Sequence, residues 1–167
     1  NITLSQVHCD MKANTGSGSI RIEMAEGAAK FNTGSGNIRV RQIQGELNFN
    51  TGSGNIDVEA ASILGSSSFS TGSGNAELEL DAALDHDLSI STGSGDAILD
   101  FNSQPIAGEF IMRANDEDDI RAPFSFDRSY EEDRGSGWRG RNKAYIKEAK
   151  VGNKNIQVRI STGSGKA

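Results

Sequence analysis

The tetrapeptide Thr-Gly-Ser-Gly occurs six times in 167 residues, beginning at Thr15, Thr33, Thr51, Thr71, Thr92 and Thr162. The first five starts are spaced 18, 18, 20 and 21 residues apart. A unit this short cannot bury a core of its own, so self-similarity at this period implies units stacked on one shared core. A Gly/Ser tract alone would also suit a flexible linker. Alternating apolar residues flank the tracts here, and a linker lacks them.

Alignment on the Thr gives the register. Five residues on stand Ile20, Ile38, Ile56, Ala76 and Ala97, and two further on stand Ile22, Val40, Val58, Leu78 and Leu99. Two residues before the Thr stand Ala13, Phe31, Phe49, Phe69 and Ile90, with mostly polar residues between. Such alternation is that of half-buried strands. Gly27, Gly45 and Gly65 fall six residues before a Thr and mark a second corner. One unit is therefore two short strands joined by two Gly corners. Equivalent strands lie side by side, parallel, each rung rising by one strand spacing of ~4.8 Å. The expected fold is all-β, a single-domain parallel β-helix with rungs of about 18–22 residues. A sandwich or antiparallel barrel is the competing all-β arrangement, but neither requires one motif repeated in register. The Thr shares inward parity with the Phe column, so its methyl joins the core while its hydroxyl bonds the corner backbone.

The pattern decays after Thr92. Phe110 to Glu117 aligns with Leu88 to Gly95, which predicts one more rung over 92–113 with a degenerate corner at 114–117. Regular rungs are thus expected over 1–123. Residues 124–150 are expected to form a hairpin excursion or cap, with strands at Phe124–Phe126 and Ala144–Lys147. The last rung is expected over 151–167.

Composition excludes several functions. The net charge of −6 and pI of about 4.9 argue against nucleic acid or an anionic membrane as partner. The one Cys, Cys9, excludes an internal disulfide framework and a Cys-based zinc site. The chain begins at Asn1 and shows no signal peptide, as expected of a processed or trimmed product.

The recurring Thr-Gly-Ser-Gly-(Asn/Asp)-Ile pattern, over residues 13–24, 31–40, 49–58, 69–80 and 90–99, resembles the bacterial DUF4097 β-strand-repeat family, whose members carry an adhesin label. Arg159 to Gly165 is similar to that family's last strand. The resemblance implies a β-helix in an extracytoplasmic setting, periplasmic, outer-surface or secreted. It transfers no activity, because fold and function separate easily.

Catalytic chemistry is hard to find. Ser164-Gly165-Lys166 invites a phosphate-loop reading, but that loop needs Gly six residues before the Lys, where Ile160 stands, and Ser or Thr after it, where Ala167 stands. The Gly-Ser-Gly serines do not form an esterase elbow. Of the two histidines, His8 is expected to point outward and His86, between Asp85 and Asp87, to lie at a polar corner. No cofactor is expected.

Charge is more informative. Residues 51–112 hold ten Asp and Glu and no Lys or Arg. In one outward column Glu23, Arg41 and Glu59 alternate in sign, and then Glu59, Glu79 and Asp100 repeat the same sign; Asp57 and Glu77 do so next door. Clustered carboxylates suit Ca²⁺, which makes Glu59, Glu79, Asp100, Asp116 and Asp118 weak metal candidates beside the plainer reading of a solvated acidic face. Residues 134–143 invert the sign with Arg134, Arg139, Arg141 and Lys143 around Trp138, the one Trp. Arg beside an aromatic side chain is frequent at recognition surfaces. Trp138, Arg139 and Arg141 are accordingly candidate contacts for a glycan or protein partner, unless Trp138 folds down into the cap. The expected function is a non-enzymatic extracytoplasmic scaffold or interaction protein, in the manner of an adhesin. The alternatives are a self-assembling structural protein resembling bactofilins, associating through terminal rungs, and a β-helix polysaccharide-active enzyme.

Overall fold

The structure is a computed structural model. It describes residues 1–137 and 140–167, with the side chains of 134–137 and 140–142 excepted. Alternation and Gly corners produce the expected coil. Six strands stack in parallel as one sheet, here sheet A: β1 (Ile2–His8), β3 (Ile20–Glu26), β5 (Ile38–Gly45), β7 (Ile56–Ile63), β9 (Ala76–Leu80) and β11 (Ala97–Asp100). The facing sheet B begins with β2 (Met11–Thr15), β4 (Ala29–Thr33), β6 (Leu47–Thr51), β8 (Ser67–Ser73) and β10 (Leu88–Ser94). The chain alternates between the sheets, turning at Thr-Gly-Ser-Gly from B to A and at Gly27 or Gly45 from A back to B.

Register follows the Thr alignment: Ile20 pairs with Ile38 and Ile38 with Ile56, while Phe31 pairs with Phe49 and Phe49 with Phe69. The three Phe rings are buried, as expected, but do not stack uniformly. Phe31 lies parallel to Phe49 at 4.8 Å between centroids, whereas Phe69 meets Phe49 edge-on at 5.2 Å. Both are favourable aromatic arrangements.

The corner motif is consumed by bonds between rungs. The hydroxyls of Thr33, Thr51, Thr71 and Thr162 donate to the carbonyls of Gly18, Gly36, Gly54 and Gly95 in the rung before, at 2.7–2.9 Å. Asn37, Asn55 and Asn75 each accept, through Oδ1, the N–H of the equivalent residue one rung on, at 2.9–3.0 Å. Asp96 does the same for Lys166 at 2.8 Å. This Asn/Asp ladder gives the position after Thr-Gly-Ser-Gly a structural role. Glycine is required mainly by crowding: a Cβ on Gly52 would lie 2.5 Å from the carbonyl oxygen of Gly34. Positive φ adds to this at the later corners, as at Gly74 with φ 154°.

Two expectations are corrected. The segment β12 (Gly108–Ala114) has the register predicted for it but not the neighbour. Phe110 and Leu88 both align with Val158, because β15 (Gln157–Thr162) lies between β10 and β12, parallel to both. Residues 92–113 are therefore not the next rung: the sixth Thr-Gly-Ser-Gly, at Thr162, stacks on Thr92. Residues 124–126 form no strand. Phe124 instead packs its ring 4.7 Å from that of Phe110, and Phe126 packs on Phe124 at 5.7 Å. Sheet B then closes with an antiparallel hairpin, β13 (Arg128–Gly137) and β14 (Gly140–Val151), in the order β13-β14-β12-β15-β10. Ala149, opposite Phe110, is buried in the core, and Tyr145 and Val151 pack against it, so the base of the hairpin caps the core.

Candidate functional site

Strict alternation would continue outward–inward along the sheet A strands, but in β3, β5 and β7 it breaks once. Glu23 and Met24, Arg41 and Gln42, and Glu59 and Ala60 are consecutive non-buried pairs, after which Ala25, Ile43 and Ala61 are buried. The signal in the sequence is an apolar residue three positions, rather than two, after Ile22, Val40 and Val58. The outward charged residues line one open groove along the outer face: Arg21, Glu23, Arg39 and Arg41 toward the N-terminal strands, and Asp57, Glu59, Glu77, Glu79 and Asp100 toward the C-terminal ones.

The two halves differ in how their charges are met. Arg39 Nε bonds Asp57 at 3.0 Å, and Arg41 bridges Glu23 at 3.1 Å and Glu59 at 3.7 Å. The alternating column is thus a ladder of exposed ion pairs, each worth little singly. Beyond it, Asp57 aligns with Glu77 and Glu79 with Asp100. Among the described residues no cation pairs with Glu77, Glu79 or Asp100. Like charges opposite one another on adjacent strands repel, so this half of the groove carries an unneutralised negative potential. The outer face of sheet B is different in kind, a ladder of amides and hydroxyls such as Asn32 donating to Asn14 at 2.9 Å and Ser161 to Ser91 at 3.1 Å.

The other sequence candidates lie apart from this groove. Asp116 caps a short 3₁₀ turn over Glu117–Asp119, its carboxylate accepting the Asp118 N–H at 3.1 Å. Among the described residues no three His, Cys, Asp or Glu side chains converge as a metal cage. Trp138 and Arg139 lie outside the described residues, as does the side chain of Arg141. The described part of the hairpin is tied inward by ion pairs, Lys150 to Glu109 at 2.9 Å, Lys147 to Glu117 at 3.7 Å, and Arg113 to Glu132. Lys143, one of the four basic residues of the segment, is paired with Glu131, whose hydrogen bond raises its pKa above the ordinary 10.5. Tyr130 donates to Glu148 at 2.8 Å, and that bond raises the phenol above its ordinary 10.0. Cys9 is exposed, and exposed His8 bonds Glu26 at 3.1 Å through Nδ1.

A parallel β-solenoid whose repeated motif is spent on inter-rung bonds, with one charge-segregated groove on its outer face, defines a repeat scaffold. The chain belongs to the Toastrack DUF4097 family, whose model matches residues 1–109. No curated protein and no solved structure matches it.

Proposed function

We propose that this chain is a non-enzymatic extracytoplasmic scaffold that works, as an adhesin does, by presenting the outer groove of sheet A to a glycan or protein partner. The observation that carries this is the division of labour in the rungs. The hydroxyls of Thr33, Thr51, Thr71 and Thr162 and the Oδ1 atoms of Asn37, Asn55 and Asn75 are engaged in holding rungs together, and what remains on the outer face is a row of carboxylates at Glu77, Glu79 and Asp100 that no cation neutralises among the described residues. Arg39 and Arg41 are held in exposed ion pairs rather than free to serve as bases, which supports a binding role over polysaccharide cleavage. The antiparallel hairpin ends the parallel ladder of sheet B, which supports a discrete scaffold over an end-to-end filament.

The test is binding of the purified chain to a panel of cell-surface glycans and to a lysine-rich peptide, with and without Ca²⁺, compared with the triple variant Glu77→Gln, Glu79→Gln, Asp100→Asn. Binding lost in the variant and weakened by salt is the expected result. Equal binding by both proteins, or turnover of any polysaccharide in the panel, would overturn the proposal.

A further inference from the structure

Sheet B ends in β13, which has β14 on one side and, among the described residues, no strand on the other. A strand in that place presents a row of N–H and C=O groups that can pair with another chain. Arg128 to Asp133 are all exposed, so this stretch is not covered. It also keeps an even register with β14 up to Asp133 and shifts only before Ser136, so it is the straight part of the edge.

The side chains of this edge are polarised. Arg128, Tyr130 and Glu132 share one face, and Ser129, Glu131 and Asp133 the other. Tyr130 is 46% exposed although its hydroxyl is held by Glu148. Arg128 lies opposite that same Glu148, and among the described residues it has no ion pair. Glu131 is met by Lys143, and Glu132 is met through Oε2 by Arg113, which leaves its Oε1 open. The cationic end of the edge is thus unmatched, and a carboxylate four residues on has an oxygen to spare.

We propose that β13 pairs with β13 of a second copy of this chain, antiparallel about a two-fold axis at Tyr130. A two-fold axis normal to the sheet joins two such edges antiparallel and keeps each face on its own side, so opposite residues come from the same face. That condition selects the register. Centring on Glu131 or Glu132 sets a carboxylate against itself, and centring on Ser129 sets Arg128 opposite Tyr130. Centring on Tyr130 sets Arg128 opposite Glu132 twice, Ser129 opposite Glu131 twice, and the two Tyr130 rings side by side. Asp127, which would next face Asp133, lies outside the strand and accepts the Lys150 N–H at 2.8 Å. The pairing occupies the edge of each copy, so it closes at two copies and makes no fibre. It uses no residue of the sheet A groove.

The test is sedimentation equilibrium of the chain, of Arg128→Glu and of Glu132→Arg, from micromolar to millimolar concentration, with circular dichroism to check that each keeps its strands. The chain is expected to dimerise. Each variant alone should dimerise about tenfold more weakly or worse, because two opposite-charge pairs become two like-charge pairs. An equimolar mixture of the two variants should regain the original strength as a heterodimer, since every reversed charge then meets its complement. A chain that stays monomeric throughout, a dimer indifferent to Arg128→Glu, or a mixture no stronger than its components would overturn the proposal. Should Glu132→Arg lose its strands, Tyr130→Cys in a Cys9→Ser background decides instead. A disulfide-linked dimer in a glutathione redox buffer is then the expected result, and its absence overturns the Tyr130 axis.

Discussion

Gly16 and Gly52 occupy the same place in the same motif, yet alanine should act on them with opposite sign. A Cβ on Gly52 would lie 2.5 Å from the Gly34 carbonyl oxygen, where a carbon and an oxygen ordinarily approach to about 3.3 Å. Relief therefore needs a movement of about 0.8 Å between two rungs. The bonds that would stretch are Gly52 N–H to Thr33 and Ser53 N–H to Gly34, both at 3.1 Å. That movement takes both beyond useful length. Two weakened backbone bonds, together with the disturbed packing, amount to about 2–4 kcal/mol. At Gly16 a Cβ meets nothing within 4 Å, because β2 is the edge strand of its sheet. Alanine there restricts the unfolded chain and should leave stability unchanged or raise it by up to about 1 kcal/mol. Urea unfolding followed by circular dichroism, with slopes compared so that midpoints convert to free energies, measures both. Equal losses at the two sites would show that the corner needs glycine for its own conformation. No loss at Gly52 would refute the argument from crowding altogether.

Phe49→Ala removes the central ring of the Phe column and should cost about 3–5 kcal/mol by the same unfolding assay, whereas Ser53→Ala, at an exposed corner position, should change the midpoint little. Glu79→Lys places a cation beside Asp100 in the acidic column; a gain of about 0.2–1 kcal/mol is expected at low salt and should fade at high salt. Because the Glu148 bond raises the Tyr130 pKa, the hairpin contact it makes is present below the ordinary phenol range and is lost only as pH rises through the elevated value. Ultraviolet titration in a Tyr145→Phe background should show a midpoint above 10.0 that falls on Glu148→Gln. Deleting 131–142 should leave most of the thermal midpoint intact, because the buried residues Ile146 and Ala149 and the Lys147 and Lys150 ion pairs lie outside the deletion.

The coil, its register and the Phe column are legible from the sequence because an invariant corner fixes the alignment and every inward position repeats from it. The same is true of the charge column: Glu23, Arg41 and Glu59 sit as their spacing places them. What escapes is what local alternation cannot encode. Phe110 and Met112 take the same inward positions as Leu88 and Ile90, so the register is legible without any sign that β15 stands between. Phe124-Ser125-Phe126 has the pattern of a strand, but Phe110 offers its ring a packing surface, and packing wins over pattern. The break in β3, β5 and β7 is the three-residue interval from Ile22 to Ala25, from Val40 to Ile43 and from Val58 to Ala61, which is invisible when period two is assumed throughout.

The place of β15 also sets an order of events during synthesis. Through β10, each strand of sheet B pairs with one made 18–21 residues earlier, so these coils can settle as the polypeptide leaves the ribosome. Val158 meets Leu88 across 70 residues and Phe110 across 48. β10 and β12 both emerge well before their shared neighbour exists, already carrying the register to pair with each other. A nascent chain that makes that pairing must break it again before residues 157–162 can enter. Growth from the N-terminus is therefore a succession of short loop closures, and the slow step is one distant insertion, where the entropy of closing a long loop is met all at once.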